Sequence, residues 1–311
     1  MTDEVFDVTI IGAGPAGLTA ALYSGRANLS TVMFGDIFDS NLAKAGDVEN
    51  YPGFDSIQGI DLVEKFSNQL RRYDIVNVPA YIRHIEPNKA EGTFKLVTEN
   101  GDYKSRAIII STGSRHKDLG VPGEKEFLHK GISYCAVCDG PFYKGKKVAM
   151  LGSGDQAAKA AIYLAGLCQS VIVLTTKPDM DSPVYAAQIK SLDNIEIIGD
   201  AKLIAIEGGE FVEWVRYSTP EKPDGTVRID GIFIESEMPN SDLAMDLGLD
   251  LDEKGNVTVN RPDMTTKIDG VFAAGDVTGG LHQISKAVGE GACAAVSATI
   301  YVKKKFRARP R

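Results

Sequence analysis

Cysteine and histidine are scarce, with four of each in 311 residues. So few cysteines exclude a disulfide scaffold and point instead to thiol chemistry. The histidines, His84, His116, His129 and His282, show no ligand spacing, and no metal site is expected. Long apolar runs are missing as well. None reaches the ~18 residues of a membrane span, so no membrane partner is expected. The acidic opening Met1-Thr2-Asp3-Glu4 leads straight into a strand, which argues against a signal peptide and for a cytoplasmic protein. Positive charge is thin except at one end. The formal charge is −8, yet the last nine residues, Lys303-Lys304-Lys305-Phe306-Arg307-Ala308-Arg309-Pro310-Arg311, carry six cations. No nucleic-acid partner is expected for so acidic a body; the tail either meets an acidic partner or is a solvated end.

What the chain has in excess is glycine, 32 residues, as repeated phosphate loops and tight strand-helix turns require. The apolar run Phe6-Asp7-Val8-Thr9-Ile10-Ile11 ends in Gly12-Ala13-Gly14-Pro15-Ala16-Gly17 and is followed by helix formers. A strand, a G-x-G-x-x-G turn and a helix form the dinucleotide-binding fingerprint, which holds FAD or NAD. Gly12 makes the turn, Gly14 lets the backbone approach a pyrophosphate, and Gly17 permits close packing. A second strand over 30–34 ends at Gly35-Asp36, which makes Asp36 the candidate ribose-binding acid. An amphipathic helix follows, with Ile60, Val63, Phe66 and Leu70 expected in the core. Stretches 81–85 and 94–98 read as a small antiparallel meander, and 107–113 as a buried strand entering a glycine turn.

A second unit opens at Lys147-Val148-Ala149-Met150-Leu151, with Gly152-Ser153-Gly154-Asp155-Gln156-Ala157 as its turn. A helix over 158–167 and a strand over 170–174 complete a βαβ, and later strands at 196–198, 211–217 and 231–234 finish the unit. A second Rossmann-like domain is thus inserted in the chain. Just before it stands Ser133-Tyr134-Cys135-Ala136-Val137-Cys138-Asp139-Gly140. Thiols at this spacing close a short disulfide ring, and local backbone donors lower a thiol pKa. Half a zinc site has the same spacing, but zinc needs further ligands. Cys168 and Cys293 stand alone, and both are expected to be packed. The pair therefore reads as redox-active before it reads as zinc-binding. Near the C-terminus, the strand in 270–277 delivers Asp276 at its carboxyl end, and a long helix lined by small residues runs from about Gln283 towards Tyr301.

The turn at 12–17, the run Val48-Glu49-Asn50-Tyr51-Pro52-Gly53, the core at 135–139 and the run 270–277 occur in this order across nearly the whole chain. Together they resemble the low-molecular-weight thioredoxin reductase family. The resemblance implies an α/β protein of two Rossmann-like dinucleotide-binding domains, the second inserted into the first. The flavin domain would be 1–114 with 243–302, the inserted disulfide domain 115–242, and the basic tail 303–311. It implies a homodimer that reduces thioredoxin, in which Cys138 faces the flavin, Cys135 exchanges with substrate and Asp139 is the acid–base group. It also implies FAD contacts from Gly12, Gly14, Pro15, Ala16 and Gly17, from Asp36 and Asn50, and from Thr112 and Gly113. The far end would add Gly275, Asp276, Gln283 and Ile284.

The departures are informative. NADPH-using members of the family carry His-Arg-Arg-x-x-x-Arg after the second strand of the inserted domain, where arginines clamp the 2′-phosphate. The aligned stretch here is Thr175-Thr176-Lys177-Pro178-Asp179-Met180-Asp181. Asp155 replaces an asparagine in the phosphate turn, and Glu235-Ser236-Glu237-Met238-Pro239-Asn240 is bulkier and more acidic than the family's run. These changes, with Thr278-Gly279-Gly280 and the run Lys286-Ala287-Val288-Gly289-Glu290-Gly291, resemble the pyridine-nucleotide-independent branch, the ferredoxin-dependent flavin thioredoxin reductases. Ferredoxin is therefore the expected donor, with Tyr301 or Phe306 covering the flavin and the basic tail helping ferredoxin to dock. Three alternatives stand beside it: an NADPH enzyme with atypical phosphate contacts, a two-flavin disulfide oxidoreductase, and a non-catalytic flavin-bound redox sensor.

Overall fold

The structure, a computed structural model, describes residues 5–116, 118–235 and 237–307. The acidic opening at 1–4, Ser236 and tail residues 308–311 lie outside the described residues. Two compact units form, one from the chain up to Arg115 and from Met238 onward, the other from His116–Glu237. Each is built on a parallel Rossmann-like sheet.

In the first unit, β1 (Val5–Ile11), α1 (Pro15–Arg26) and β2 (Thr31–Phe34) form the opening βαβ. Helix α2 (Gly59–Leu70) leads to β3 (Ile75–Val78), and a meander of β4 (Ile82–Asn88), β5 (Thr93–Thr98) and β6 (Gly101–Ile110) follows. Strands β1 and β2 are buried along almost their whole length because both faces of the sheet are covered. The apolar stripe of α2 is rotated from its expected face. Leu62 and Val63 are fully buried and Leu70 nearly so, whereas Ile60 is 37% exposed and Phe66 only partly covered.

The second unit carries β7 (Ile132–Ser133), α3 (Ala136–Asp139), β8 (Lys147–Leu151), α4 (Gly154–Ala165), β9 (Ser170–Leu174) and β10 (Ile195–Ile198). Three strands follow, β11 (Lys202–Gly208), β12 (Val212–Ser218) and β13 (Gly225–Arg228), and then β14 (Gly231–Ile234). The parallel sheet runs β7-β14-β8-β9-β10. Residues 211–217 do not finish it. From Val212 on they lie in β12, the middle strand of a separate antiparallel sheet with β11 and β13. Helix α4 starts at Gly154 rather than 158, because a glycine turn is tolerated in a first helical turn where propensity counts for little.

The chain returns through β15 (Val271–Ala273) and α5 (Ile284–Phe306). Strand β6 serves two partners on one side, antiparallel β5 along its first half and parallel β15 along its second. Helix α5 buries Ala287, Gly291, Ala294, Ala295, Ala298 and Val302. A Cβ on Gly291 would stand 2.2 Å from the carbonyl oxygen of Ala16, so backbone meets backbone where α5 crosses α1. Cys293 falls on the opposite face of α5 and is exposed, contrary to its expected place in the core; Cys168 is buried.

The basic tail is not wholly a solvated end. Lys303–Phe306 continue α5, and Arg307 joins Arg106 on the fully buried carboxylate of Asp7. Tyr301 packs where Gly270 enters β15, and its ring meets Phe272 and Phe306. Both aromatics therefore sit at the edge where the parallel strands begin. The Gly12 turn is at the other edge, so the expected cover of a flavin by Tyr301 or Phe306 does not occur within this unit. No helix among the described residues is long and apolar enough to cross a membrane.

Two adjacent glycines of α5 separate packing from propensity. Gly291→Ala should cost about 1–3 kcal/mol through overpacking against Ala16. Gly289 meets nothing within 4 Å, and Gly289→Ala should be neutral or stabilise by about 0.5–1 kcal/mol. Urea unfolding of both variants checks the opposite signs.

Candidate functional site

Because β1, β2, β6 and β15 are mutually parallel, their carboxyl ends share one edge, where open α/β sheets bind ligands. Gly12, Gly35-Asp36, Ser111-Thr112-Gly113 and Ala274-Gly275-Asp276 meet there. The approach is close enough to forbid side chains. A Cβ on Gly12 (φ +108°) would stand 2.2 Å from the Ser111 oxygen, and one on Gly17 would stand 1.8 Å from the Gly12 oxygen. A Cβ on Gly275 (φ +83°) would stand 2.9 Å from that of Ala16. At Gly14 there is room instead, since a Cβ there would meet nothing nearer than 3.9 Å, and a Cβ on Gly113 would meet nothing within 4 Å. No side chain caps the first turn of α1, formed by Pro15, Ala16 and Gly17. Uncapped N–H groups beside open space fit a dinucleotide pyrophosphate.

The remaining first-unit candidates surround this edge. Asp36 follows β2 and accepts the Phe38 N–H at 2.9 Å, so part of its carboxylate already caps a short turn. Asn50 donates to Gln283 at 3.1 Å, which ties the 48–53 run to the start of α5. Ile284 is the first residue of that helix and packs against the core. Thr112 donates to the Asn240 carbonyl at 2.5 Å.

In the second unit, β7 pairs in parallel with β14 and ends at the carboxyl edge of its sheet. There Cys135 and Cys138 are joined as a disulfide, with Cα atoms 5.3 Å apart. Cys135 caps α3, its sulfur accepting the Cys138 N–H at 3.1 Å. A sulfur so placed is stabilised as an anion by the N–H dipole once the ring opens. Cys135 is half-buried, whereas Cys138 is exposed. Buried Ser133 ties the motif together, accepting the Cys135 N–H at 3.1 Å and donating to Asp139 at 2.6 Å. Tyr134 donates to buried Glu124 at 3.3 Å, and Glu124 also accepts the N–H groups of Leu119 and Gly120. Burial, with the Glu124 charge behind it, pushes the Tyr134 phenol up to about 12. Burial also raises the Tyr143 phenol, helped by the charges of Asp139 and Asp230.

The β8–α4 turn lies on the same edge as the disulfide. Its Gly152 is pressed between Ala157 and Glu235, each 2.9 Å from where a Cβ would stand. The segment after β9 folds back over the helix start. Fully buried Ser182 donates to Asp155 at 2.6 Å, and the Asp181 carbonyl lies 3.8 Å from a Cβ on Gly154. Asp179 pairs with Lys190 at 2.7 Å, which holds its carboxyl below the usual range. Thr176, Lys177 and Asp181 are exposed.

Sequence reasoning did not single out Ser133, Ser182, Glu124 or Arg261, because nothing in their spacing marks them. Lys286 and Glu290 carried a signal of another kind, an i,i+4 pair of opposite charges on a helix otherwise lined with small residues. They form an ion pair at 3.1 Å that the Candidate edge at Gly275 rests on.

A glycine cradle shaped for a dinucleotide, and a Cys-x-x-Cys disulfide on a second such sheet, define a dinucleotide-dependent disulfide oxidoreductase. The model of the pyridine nucleotide-disulphide oxidoreductase family matches residues 6–291. The thioredoxin reductase of Bacillus subtilis (strain 168) is 37% identical over 309 residues, covering 97% of this chain and 96% of its own. The thioredoxin reductase of Streptococcus pyogenes MGAS5005 has a similar structure, with TM-score 0.89 and 32% identity over 97% of this chain and 100% of that one. A ferredoxin-flavin thioredoxin reductase from Clostridium acetobutylicum matches with TM-score 0.54 and 32% identity over 97% of this chain and 98% of that one. The chain belongs to the pyridine nucleotide-disulphide oxidoreductase family and, within it, to the thioredoxin reductases.

Two outcomes follow from the thiols and the phenol. A thiol reagent should titrate one fast group in the oxidised native protein, Cys293, a second only on unfolding, Cys168, and two more after reduction. The neutral Tyr134 phenol stabilises the fold fully below its unfolded pKa near 10, and that contribution fades as pH rises through about 12. Wild type should therefore lose stability relative to Tyr134→Phe between pH 10 and 12, as followed by urea unfolding.

Proposed function

We propose that this protein is an FAD-dependent disulfide reductase that passes electrons from a reduced ferredoxin to thioredoxin through the Cys135–Cys138 pair. The observation that carries the choice of donor is the second-unit turn. The 2′-phosphate arginines of NADPH-using relatives are replaced by Thr176, Lys177 and Asp181. Asp155 stands in the first turn of α4 with its carboxylate held by the Ser182 hydroxyl, and Glu235 adjoins Gly152. A pyrophosphate entering here would meet the carboxylates of Asp155 and Glu235, and Ser182 holds the first of them in place. The similarity to a ferredoxin-flavin thioredoxin reductase points the same way. A pyridine nucleotide donor, as in the family's name, is the second reading. A homodimer and a cytoplasmic setting belong to the same proposal.

Bound FAD supplies a carrier that takes electrons singly and gives them up in pairs, which ferredoxin and a disulfide respectively require. The direction is favourable. A ferredoxin at roughly −400 mV and a thioredoxin near −270 mV differ by ~130 mV, or ~6 kcal/mol for two electrons. The glycine cradle at 12–17 would hold the pyrophosphate, while Asp276, Asn50 and Gln283 would hold the flavin end. In the reduced pair the Cys135 thiolate, favoured by the Cys138 N–H, attacks the thioredoxin disulfide. One thioredoxin thiolate leaves and takes the Cys138 thiol proton, relayed by Asp139, whose carboxyl Ser133 holds in place. The Cys138 thiolate so formed attacks the Cys135 sulfur of the mixed disulfide, reforming the ring and releasing the second thioredoxin sulfur as a thiolate, which takes its proton from solvent.

Cys135→Ser and Cys138→Ser should each abolish thioredoxin reduction while FAD stays bound. Asp139→Asn should slow it by about 10²–10⁴-fold. The donor is tested by anaerobic mixing, with flavin absorbance as the readout. Reduced ferredoxin should bleach the flavin within turnover time and NADPH should not. Rapid bleaching by NADPH, with none by ferredoxin, would establish the second reading.

A further inference from the structure

The structure assigns to the Lys286–Glu290 ion pair of α5 the task of holding the Gly275 peptide groups, and with them Asp276, in the position that retains FAD; the inference rests on the FAD reading above. Gly275 has φ +83° and ψ −156°, a region open essentially to glycine alone and one of many that glycine samples unless its surroundings fix it. They do so here. The Gly275 N–H donates to Glu290 Oε2 at 2.9 Å, and its carbonyl accepts from Lys286 Nζ at 2.9 Å. Thr278 Oγ1 lies 2.9 Å from Glu290 Oε2 and 3.3 Å from Lys286 Nζ. Arg261 completes the set, 2.9 Å from Glu290 Oε1 and donating to the Thr278 carbonyl at 3.0 Å.

The side chains of Lys286 and Glu290 are only 15% and 12% exposed. Charges withdrawn from water this far cost free energy unless their hydrogen-bonding capacity is met. Here both carboxylate oxygens and the ammonium are engaged, and most of the bonds run to one short stretch, Gly275–Thr278. Stabilising α5 alone would need no such clamp, since a surface i,i+4 pair does that on the outer face. What the clamp adds is a fixed backbone at the carboxyl end of β15, one residue from Asp276 and 2.9 Å from the Ala16 Cβ as judged from an ideal Cβ on Gly275. Lys286 and Glu290 are thus positioning residues that act through Gly275.

The test is FAD retention by holoprotein, followed as flavin fluorescence on dilution at temperatures well below unfolding, with unfolding monitored separately by circular dichroism. Glu290→Gln and Lys286→Met should each weaken FAD binding about tenfold or more, the effect of losing a charge-assisted hydrogen bond. The double variant should be no worse than the weaker single, because the pair acts as one unit, and Lys286→Arg should stay near wild type. Either single variant holding FAD as tightly as wild type overturns the inference, as does flavin loss that occurs only in step with unfolding. Wild-type protein that binds no FAD at all would instead overturn the FAD reading, and this inference with it.

Discussion

Contact between bare backbones is the constraint on which the first unit depends. Gly17 lies against Gly12, Gly12 against Ser111, and Gly291 against Ala16, each closer than any side chain permits. These contacts pull the start of α1 down onto the ends of β1 and β6 and draw α5 across it. The same small-residue crossing leaves Gly14 and Gly113 facing open space. A cradle of free N–H groups results because neighbouring positions are packed so tightly that the cradle cannot relax. The polar clamp at Gly275 closes it from the chain's other end.

The second unit repeats the architecture with different chemistry at the corresponding turn. Gly152 is again crowded and Gly154 again has room, with nothing nearer than 3.8 Å to a Cβ there, but the first turn of α4 carries Asp155, held by Ser182. A dinucleotide fold can persist without its ligand because the parallel sheet and its apolar core are independent of the turn. Val148, Ala149, Val171 and Ile232 are fully or nearly fully buried. The disulfide lies along the same edge at β7, where Ser133 joins the Cys135 peptide to the Asp139 carboxylate. Family membership, fold and disulfide are thereby compatible with a change of electron donor.

Much of this was legible in the sequence, and the reasons differ by element. Buried parallel strands announce themselves as short apolar runs, most of them leading into a glycine turn, so β1, β8, β9 and β15 were placed closely. The Cys-x-x-Cys motif is local, and the whole ring lies within one turn. The three-stranded sheet β11–β13 was not legible as a separate sheet, because strand patterning does not say which sheet a strand joins. Cys293 was misplaced because a helix rich in alanine and glycine shows no clear apolar face. Tyr301 and Phe306 were sent to the wrong edge for a related reason: the length of α5, which carries them to Gly270 and Asp7, is set by tertiary contacts. Ser182 could not have been found, since it reaches Asp155 across a distance that only the fold closes; Ser133 is local to its partners, but a serine two residues before a cysteine carries no mark of its own.

The central claim is that the inserted domain has kept its fold and lost its nucleotide. Equilibrium titration of the oxidised holoprotein with NADP⁺ and with NAD⁺ tests this directly, by calorimetry or by change in intrinsic fluorescence. No saturable binding below millimolar concentration is predicted for either nucleotide, before or after Ser182→Ala. Saturable micromolar binding to the wild-type protein would contradict the claim.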